Sequence, residues 1–217
     1  MGQNDYCNFF PVKIELQNTG KKFNTDWIFR NLSCTFEKDN AYAILGRNGS
    51  GKSTLLQVIA GSIHPTAGRV IYSNEGDMIS DQNIFRYISC SAPYLELIEE
   101  FKLLEMLQFH FHFKKMMTGY TINKVIGMMG FKIDEYKPIR LFSSGMKQRV
   151  KLILAFLSDT PLLLLDEPTT NLDQAGTEWY RNLVNEFSKK RTVIICSNLQ
   201  HLETEFCTGT LLIEDFK

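Results

Sequence analysis

The residues best suited to chemistry lie in one stretch, Gly46 to Thr54, which reads G-R-N-G-S-G-K-S-T. This is the G-x-x-x-x-G-K-S pattern of a phosphate-binding loop, in which glycines let backbone N–H groups approach phosphate oxygens. Lys52 supplies a positive charge for the β- and γ-phosphates, and Ser53 supplies a hydroxyl for Mg²⁺. The sequence therefore predicts a phosphate site built from Gly46, Arg47, Asn48, Gly49, Ser50, Gly51, Lys52, Ser53 and Thr54.

The segments on either side of this loop fit that chemistry. Residues 41–45 form an apolar run typical of a buried strand, and residues 53–60 continue as a helix. A strand, a loop and a helix in this order place the anion at a helix N-terminus. There the free N–H groups and the helix dipole both favour negative charge.

A second acidic motif follows another apolar run. Residues 162–165 are four leucines, and Asp166 and Glu167 come directly after them. Ligands of α/β sheets lie beyond the carboxyl ends of the strands, so we expect Asp166 to reach the Mg²⁺ that Ser53 holds. Glu167, one residue further on, is suited to orient and deprotonate an attacking water.

A third motif, L-F-S-S-G-M-K-Q-R, spans residues 141–149. Ser143 or Ser144 can cap the helix that follows, and an ordinary capped helix would explain the pattern. A helix that begins with Ser and Gly is also an anion site. Because the chain already has one phosphate loop, a second anion site suggests a second subunit.

The hydrophobic pattern predicts an α/β fold. Alternation predicts strands over residues 12–16 and 32–36, leading into the phosphate-loop strand, and Ile84 to Cys90 resembles a buried strand. From about residue 95 to 156 the periodicity is helical, and strands and helices then alternate again. We expect a mainly parallel sheet with flanking helices, an N-terminal antiparallel β subdomain and an inserted helical subdomain.

Composition excludes several other classes of protein. The 217 residues carry 24 basic and 24 acidic side chains, so net charge gives no sign of a nucleic-acid partner. Five scattered cysteines without a C-x-x-C pair suggest no metal or redox site. His110 and His112 lie two residues apart, a spacing that puts them on different faces of a helix. No apolar run approaches the ~20 residues that span a bilayer.

Taken together, the three motifs closely resemble those of the ATP-binding cassette (ABC) ATPases. Residues 46–54 match Walker A, residues 164–173 match Walker B with the D-loop that ends at Asp173, and residues 142–149 are similar to the signature L-S-G-G-Q-x-Q-R. The resemblance covers roughly residues 12 to 214. It implies ATP and Mg²⁺ as ligands and a head-to-tail dimer in which the signature of one subunit covers the γ-phosphate held by the other. The signature residues are Ser143, Ser144, Gly145 and Met146.

The resemblance also assigns an adenine site. It suggests that Phe23 stands where the family stacks an aromatic ring on adenine, with Trp27 as the second choice. Packing of Phe23 in the core is the alternative.

Three positions depart from the family pattern. Ser91 occupies the place of the glutamine that ligands Mg²⁺ and water, and Asn198 the place of the histidine that contacts the γ-phosphate. Ser144 replaces the usual signature glycine. An amide can hydrogen-bond a phosphate, but it does not titrate near neutral pH. We therefore expect slow ATP hydrolysis, with Glu167, Lys52 and Asn198 as the catalytic residues, or pairing with a different subunit that completes the site.

These features predict the ATPase subunit of an ABC transporter, peripheral on the cytoplasmic face of the cell membrane, that powers a separate permease as a homodimer or heterodimer. Residues 1–217 would form one domain, with its ATP-binding core at about 1–90 and 158–217 and its helical subdomain at about 91–157. The aromatic-rich stretch from Ser91 to about Phe111 would form the permease groove. The alternative is that its aromatic side chains simply pack the helical subdomain. A short chain without a C-terminal regulatory extension favours an exporter.

Two other functions remain open from the sequence. A non-transport ABC ATPase acting in DNA repair, translation or iron–sulfur assembly would share the motifs, although no second cassette or coiled-coil insertion is visible. A kinase could use the same phosphate loop, but the signature at residues 142–149 argues against it.

Overall fold

The computed structural model describes residues 11–130, 136–198 and 201–217. Its strands are β1 (Lys13–Phe23), β2 (Asp26–Phe36), β3 (Ala41–Leu45), β4 (Ala67–Asn74), β5 (Asp77–Ile79), β6 (Ile88–Ser91), β7 (Leu162–Asp166), β8 (Thr192–Ser197) and β9 (Gly209–Leu212). Its α-helices are α1 (Lys52–Ile59), α2 (Leu103–Phe113), α3 (Ile122–Gly127), α4 (Ser144–Leu157), α5 (Gln174–Phe187) and α6 (His201–Thr204). Short 3₁₀ helices cover Ile84–Tyr87, Ile139–Leu141 and Ile213–Phe216.

The strands form two sheets, which confirms the predicted mixed α/β fold. One sheet is parallel, with the order β6-β7-β8-β3-β9. The other is antiparallel, with the order β2-β1-β4-β5. Strand β7 is buried along its whole length, as expected for a strand covered on both faces of a parallel sheet.

The parallel sheet is the middle of three layers. Side chains of β7 alternate between its faces, so Leu162 and Leu164 join one core while Leu163 and Leu165 join the other. The first core also contains α1 and the antiparallel sheet, and the second contains α2, α4 and α5. The inserted helices thus pack into the same core as the sheet that carries the phosphate loop.

One predicted element is partly wrong. A single strand from Ile84 to Cys90 is replaced by a 3₁₀ helix over Ile84–Tyr87, and the strand begins only at Ile88. Ile84 and Ile88 are buried while Phe85 is 58% exposed. The two buried isoleucines, four residues apart, thus anchor one helical turn. From the sequence alone, a short apolar run does not distinguish such a turn from a strand.

A polar cluster joins the end of α4 to the sheet. Arg191 is 1% exposed and donates hydrogen bonds to the Phe156 carbonyl oxygen at 2.9 Å and to Ser89 Oγ and Thr160 Oγ1, both at 2.8 Å. The guanidinium group has several donors in a fixed plane, which allows it to satisfy acceptors from three segments at once. The cluster therefore fixes where α4 ends relative to β6 and β7.

The two neighbouring histidines of α2 have separate environments. His110 Nε2 lies 2.9 Å from Ser158 Oγ, which donates its own hydrogen to the Leu154 carbonyl oxygen at 2.7 Å. His110 therefore donates to Ser158, whereas His112 is exposed. Within the described residues no group of three His, Cys, Asp or Glu side chains could hold a metal ion.

Candidate functional site

The loop between β3 and α1 turns sharply at its glycines. Gly49 has a φ of 76° and Gly51 a φ of 103°, both in the left-handed region that favours glycine. A Cβ atom on Gly51 would lie 2.5 Å from Ile28 Cγ2, so β2 packs directly against the loop. Gly51 is also the N-cap of α1 and caps it without a side chain. The first N–H groups of α1 are therefore available to an anion.

Lys52 is folded back onto its own loop. Its side chain is 4% exposed, and its Nζ donates to the carbonyl oxygens of Gly46 at 2.9 Å and Arg47 at 3.1 Å. Glu167 Oε1 lies 3.9 Å from the same Nζ. The positive charge is thus held beside both the loop and the acidic end of β7.

Asp166 and Glu167 end β7 next to this lysine, and the two carboxylates differ in environment. Asp166 is 1% exposed, whereas the Glu167 side chain is 27% exposed. Burial raises the pKa of Asp166, and the nearby Ser53 hydroxyl and Lys52 charge oppose that rise. Among the described residues, neither Asp166 carboxylate oxygen has a hydrogen-bond partner, although the Ser53 hydroxyl lies near enough to lower the pKa of Asp166.

This arrangement fits a magnesium ion. A buried carboxylate without a partner costs free energy unless a cation or a proton satisfies it. Magnesium prefers oxygen ligands and is usually held by one or two carboxylates together with phosphates and water. Asp166 and the Ser53 hydroxyl offer such a donor set beside the phosphate loop.

Two of the positions that depart from the family pattern, Ser91 and Asn198, lie at the same edge of the sheet. Ser91 ends β6, paired with Leu165 of β7, and Asn198 directly follows β8. Ser91 is 1% exposed, and its Oγ has no hydrogen-bond partner within the described part of the chain. Both side chains therefore stand at the carboxyl ends of strands that neighbour Asp166.

The signature residues lie in a separate depression. Ser143 caps α4, its Oγ accepting the Met146 N–H at 3.2 Å. Ser144, Gly145, Met146 and Asp173 line an open hollow with Asn171. No residue of the phosphate loop lines it, so the signature hollow and the phosphate loop are separate sites on the described chain.

Asp173 ties this hollow to two helices. Its Oδ1 accepts the Gly176 N–H at 2.7 Å, which caps α5, and lies 3.4 Å from an Arg149 Nη2. The Arg149 guanidinium lies 5.2 Å from the Trp179 ring and donates to the carbonyl oxygen of Gly130 at 3.0 Å. The D-loop aspartate is thus held by both α4 and α5.

The aromatic candidates for adenine stacking lie on the β1–β2 hairpin. Phe23 ends β1 and is 49% exposed, so it does not belong to the core. Lys21 Nζ lies 5.1 Å from its ring centroid. Trp27 is 37% exposed, and Lys22 Nζ lies 5.5 Å from its ring. Both rings are accessible. Ile28, which follows Trp27 on β2, lies against Gly51 of the phosphate loop.

Three functional contacts could not be found from the sequence. Glu214 Oε1 accepts the Arg47 N–H at 2.8 Å, Gln148 Nε2 donates to the Pro168 carbonyl oxygen at 2.9 Å, and Glu203 Oε1 accepts from Thr169. Each joins segments that are far apart in the chain, and none has a local motif. Gln148 alone carries a signal, because it lies within the signature stretch.

A phosphate loop at the carboxyl edge of a parallel sheet, beside an acidic strand end, defines a P-loop ATPase. Residues 29–170 match the family model described as ABC transporter. The chain is 30% identical over 192 residues to the lantibiotic transport ATP-binding protein SrtF of Streptococcus pyogenes, a match that covers 86% of this chain and 80% of SrtF. The chain belongs to the ABC transporter ATP-binding family.

Two further comparisons agree with this assignment. The cytochrome c biogenesis ATP-binding export protein CcmA of Agrobacterium fabrum is 29% identical over 199 residues, covering 89% of this chain and 92% of CcmA. The structure of an ABC transporter ATP-binding protein from Pyrococcus furiosus superposes with a TM-score of 0.79 at 20% identity, covering 94% of this chain and 99% of that one. The latter likeness supports the fold.

Among the described residues, no helix combines the length and apolar character needed to cross a bilayer.

Proposed function

We propose that this chain binds MgATP, hydrolyses it, and so drives a separate membrane permease of an ABC exporter. The observation that carries the proposal is the convergence of Lys52, Ser53, Asp166 and Glu167 at one end of the parallel sheet. The names of SrtF and CcmA, which include transport and export, support the direction. The proposed location is the cytoplasmic face of the membrane.

The residues at this edge have distinct roles in the proposed reaction. Lys52 would exchange its loop carbonyls for phosphate oxygens when the triphosphate enters. Asp166 and Ser53 would hold Mg²⁺, with Ser91 as a more distant ligand, and the ion would neutralise phosphate charge. Glu167, which is partly exposed, would orient and deprotonate the attacking water.

Nucleotide closure would need two subunits. The hollow lined by Ser143, Ser144 and Gly145 is open and separate from the phosphate loop. In the proposed dimer, this hollow covers the γ-phosphate held by the other subunit, because helix N-terminal N–H groups favour an anion. The partner would be either a second copy or a related ATPase.

Hydrolysis would be slow because two side chains at the strand ends are unusual. Asn198 can hydrogen-bond a phosphate oxygen but carries no charge, and Ser91 reaches less far than a glutamine. The test is the steady-state rate of phosphate release from the purified chain and from Asn198→His. We expect the substitution to accelerate release and Glu167→Gln to abolish it. Fast release by the unaltered chain that Asn198→His does not change would contradict the proposal.

The permease would dock on an aromatic surface of the helical region. Phe101 and Phe109 have ring centroids 5.5 Å apart, Phe109 and Phe113 have theirs 5.2 Å apart, and Phe113 is 70% exposed. Tyr94, on the segment after β6, is 42% exposed. Phe101 and Phe111 both pack partly against the core, so they contribute less to this surface than the sequence predicts.

The docking surface is tested by membrane association. We expect the chain to co-fractionate with membranes and to lose this association in a Tyr94→Ala, Phe109→Ala double variant. Retention by the double variant would contradict the surface, and absence of membrane association in the unaltered chain would favour a non-transport ATPase.

A further inference from the structure

A buried carboxylate lies opposite the turn that follows the acidic strand end. Glu203 of α6 is 1% exposed, and its Oε1 accepts the Thr169 N–H at 3.0 Å and the Thr169 hydroxyl at 2.6 Å. Its Oε2 has no hydrogen-bond partner in residues 11–130, 136–198 and 201–217. Burying a carboxylate costs free energy unless it is hydrogen-bonded, so the two hydrogen bonds from Thr169 offset part of the desolvation cost of Glu203.

The turn that Glu203 holds is strained. Glu167 has a φ of 45° and Asn171 a φ of 66°, and a left-handed non-glycine residue costs on the order of 1–3 kcal/mol. Such a conformation persists only when surrounding contacts fix it. Here the Glu167 N–H donates to the Cys196 carbonyl oxygen at 2.9 Å, and the Thr170 N–H donates to the Glu167 carbonyl oxygen at 3.1 Å.

Glu203 fixes the same turn from the segment that follows β8. It lies five residues after Asn198, and its backbone carbonyl oxygen accepts the Tyr180 hydroxyl at 3.4 Å, which anchors α6 to α5. Glu203 does not line the signature hollow and is not part of the phosphate loop, although its negative charge helps to raise the pKa of Asp166. Its contact is made two residues after Glu167, at Thr169.

We propose that Glu203 is a positioning residue for ATP hydrolysis: through Thr169 it holds the strained turn that aims Glu167 at the attacking water. This inference rests on the proposed ATPase function. It assigns Glu203 an effect on the chemical step rather than on nucleotide binding, because the residues that would contact phosphate stand on other segments.

The experiment compares four variants by single-turnover phosphate release and by MgATP binding. Glu203→Leu keeps the size of the side chain but removes the acceptor, while Glu203→Gln keeps an oxygen acceptor. Glu205→Gln is the matched control, because Glu205 lies two residues away and pairs on the surface with Arg181 at 2.7 Å. Thr169→Val removes the hydroxyl donor from the other end and tests the same contact if Glu203→Leu does not fold.

We expect Glu203→Leu to lower the rate by on the order of tenfold to a hundredfold, since small misplacements of catalytic groups have effects of this size. Its dissociation constant for MgATP should change far less than its rate, and to the same extent in Glu203→Gln, because both variants remove the Glu203 charge that acts on Asp166. Glu203→Gln should recover most of the rate, and Glu205→Gln should behave as the unaltered chain. Thr169→Val should lower the rate less than Glu203→Leu, and the two effects should not add, because both remove one contact.

Several outcomes would overturn the inference. One is a Glu203→Leu rate equal to that of the unaltered chain. Another is parallel loss of rate, nucleotide affinity and thermal stability in both Glu203 variants, which would show a role in folding alone. The unaltered chain is measured first. If it neither binds nor hydrolyses MgATP, the proposed function itself fails, whereas normal hydrolysis with an inert Glu203 removes only the inference.

Discussion

Lys52 is the residue whose charge we expect to matter most for the proposed nucleotide. Its Nζ donates to two loop carbonyl oxygens, which hold the charge in the buried interior of the loop. A charge-assisted hydrogen bond is worth roughly 1.5–3 kcal/mol, so Lys52→Ala should weaken MgATP binding by about tenfold to a hundredfold. Isothermal titration of the purified variant measures this.

The control for that substitution is Lys38→Ala. Lys38 is exposed and stands in the turn after β2, away from the loop. It should bind MgATP as the unaltered chain does. Equal affinities of Lys52→Ala and Lys38→Ala would show that the loop is not the nucleotide site.

Gly51 tests whether the loop needs its backbone shape as well as its charge. Gly51 and Gly76 both have left-handed φ angles, 103° and 97°, but a Cβ on Gly51 would meet Ile28 Cγ2 at 2.5 Å while one on Gly76 would meet nothing within 4 Å. Gly76→Ala should cost about 1–2 kcal/mol in backbone strain. Gly51→Ala should cost a further ~1–3 kcal/mol for the clash.

Urea unfolding at neutral pH gives both free energies of unfolding. Gly76→Ala thus isolates the backbone contribution and Gly51→Ala adds the contact with β2. Equal losses in the two variants would show that β2 does not constrain the phosphate loop.

At the scale of elements, the sequence predicts motifs that lie within one continuous segment and misses contacts between segments that are far apart in the chain. The loop at residues 46–54 and the acidic end of β7 are recognisable because each motif lies in one continuous segment whose strand or helix is set by its own pattern. The sequence predicts a strand where the 3₁₀ helix at Ile84–Tyr87 lies, because a short apolar run fits both structures. Glu203 and Glu214 act across the fold, and an isolated acidic residue carries no signal of its partner.

The link between α2 and α4 makes stability depend on pH. Burial, aided by the Lys114 charge, lowers the pKa of His110 to about 4. An unfolded histidine titrates near pH 6.5, so between these values the unfolded chain binds a proton that the folded chain does not. The contribution of His110 to the free energy of unfolding is therefore fully present above about pH 6.5. It falls by about 2 kcal/mol between pH 7 and pH 5.

The measurement is urea unfolding at pH 7 and pH 5 for the unaltered chain and His110→Gln. Glutamine keeps a donor for Ser158 but does not titrate, so the variant should lose about 2 kcal/mol less on acidification. Gln108→Ala, at an exposed position of α2 without a titrating group, is the control and should retain the unaltered pH dependence. A His110→Gln chain as acid-sensitive as the control would contradict the assignment.

At the scale of the molecule, the phosphate loop and the signature hollow lie apart, as the proposed nucleotide site shared by two subunits requires. The phosphate loop stands at the end of the parallel sheet, whereas Ser143 and Ser144 stand at the start of α4, in a hollow of their own. The Gln148 bond to Pro168 and the Arg149 contact with Asp173 connect that hollow to the turn after Glu167. In the proposed dimer, nucleotide held at the phosphate loop would therefore influence the signature hollow of the same chain through a few residues of this turn.

Assembly tests this arrangement most directly. In a Glu167→Gln chain the proposed base is absent, so ATP should persist and a MgATP-dependent dimer should accumulate in sedimentation velocity.

Adding Ser144→Glu places a carboxylate at the exposed start of α4, where the helix dipole tolerates it. That carboxylate would face the partner's γ-phosphate, and like charges in an interface cost several kcal/mol, so the dimer should be lost. Asn182→Glu, on the exposed face of α5, should leave it intact. A chain that binds MgATP but stays monomeric, or a dimer indifferent to Ser144→Glu, would contradict the shared site, because the signature hollow would then have no nucleotide to cover.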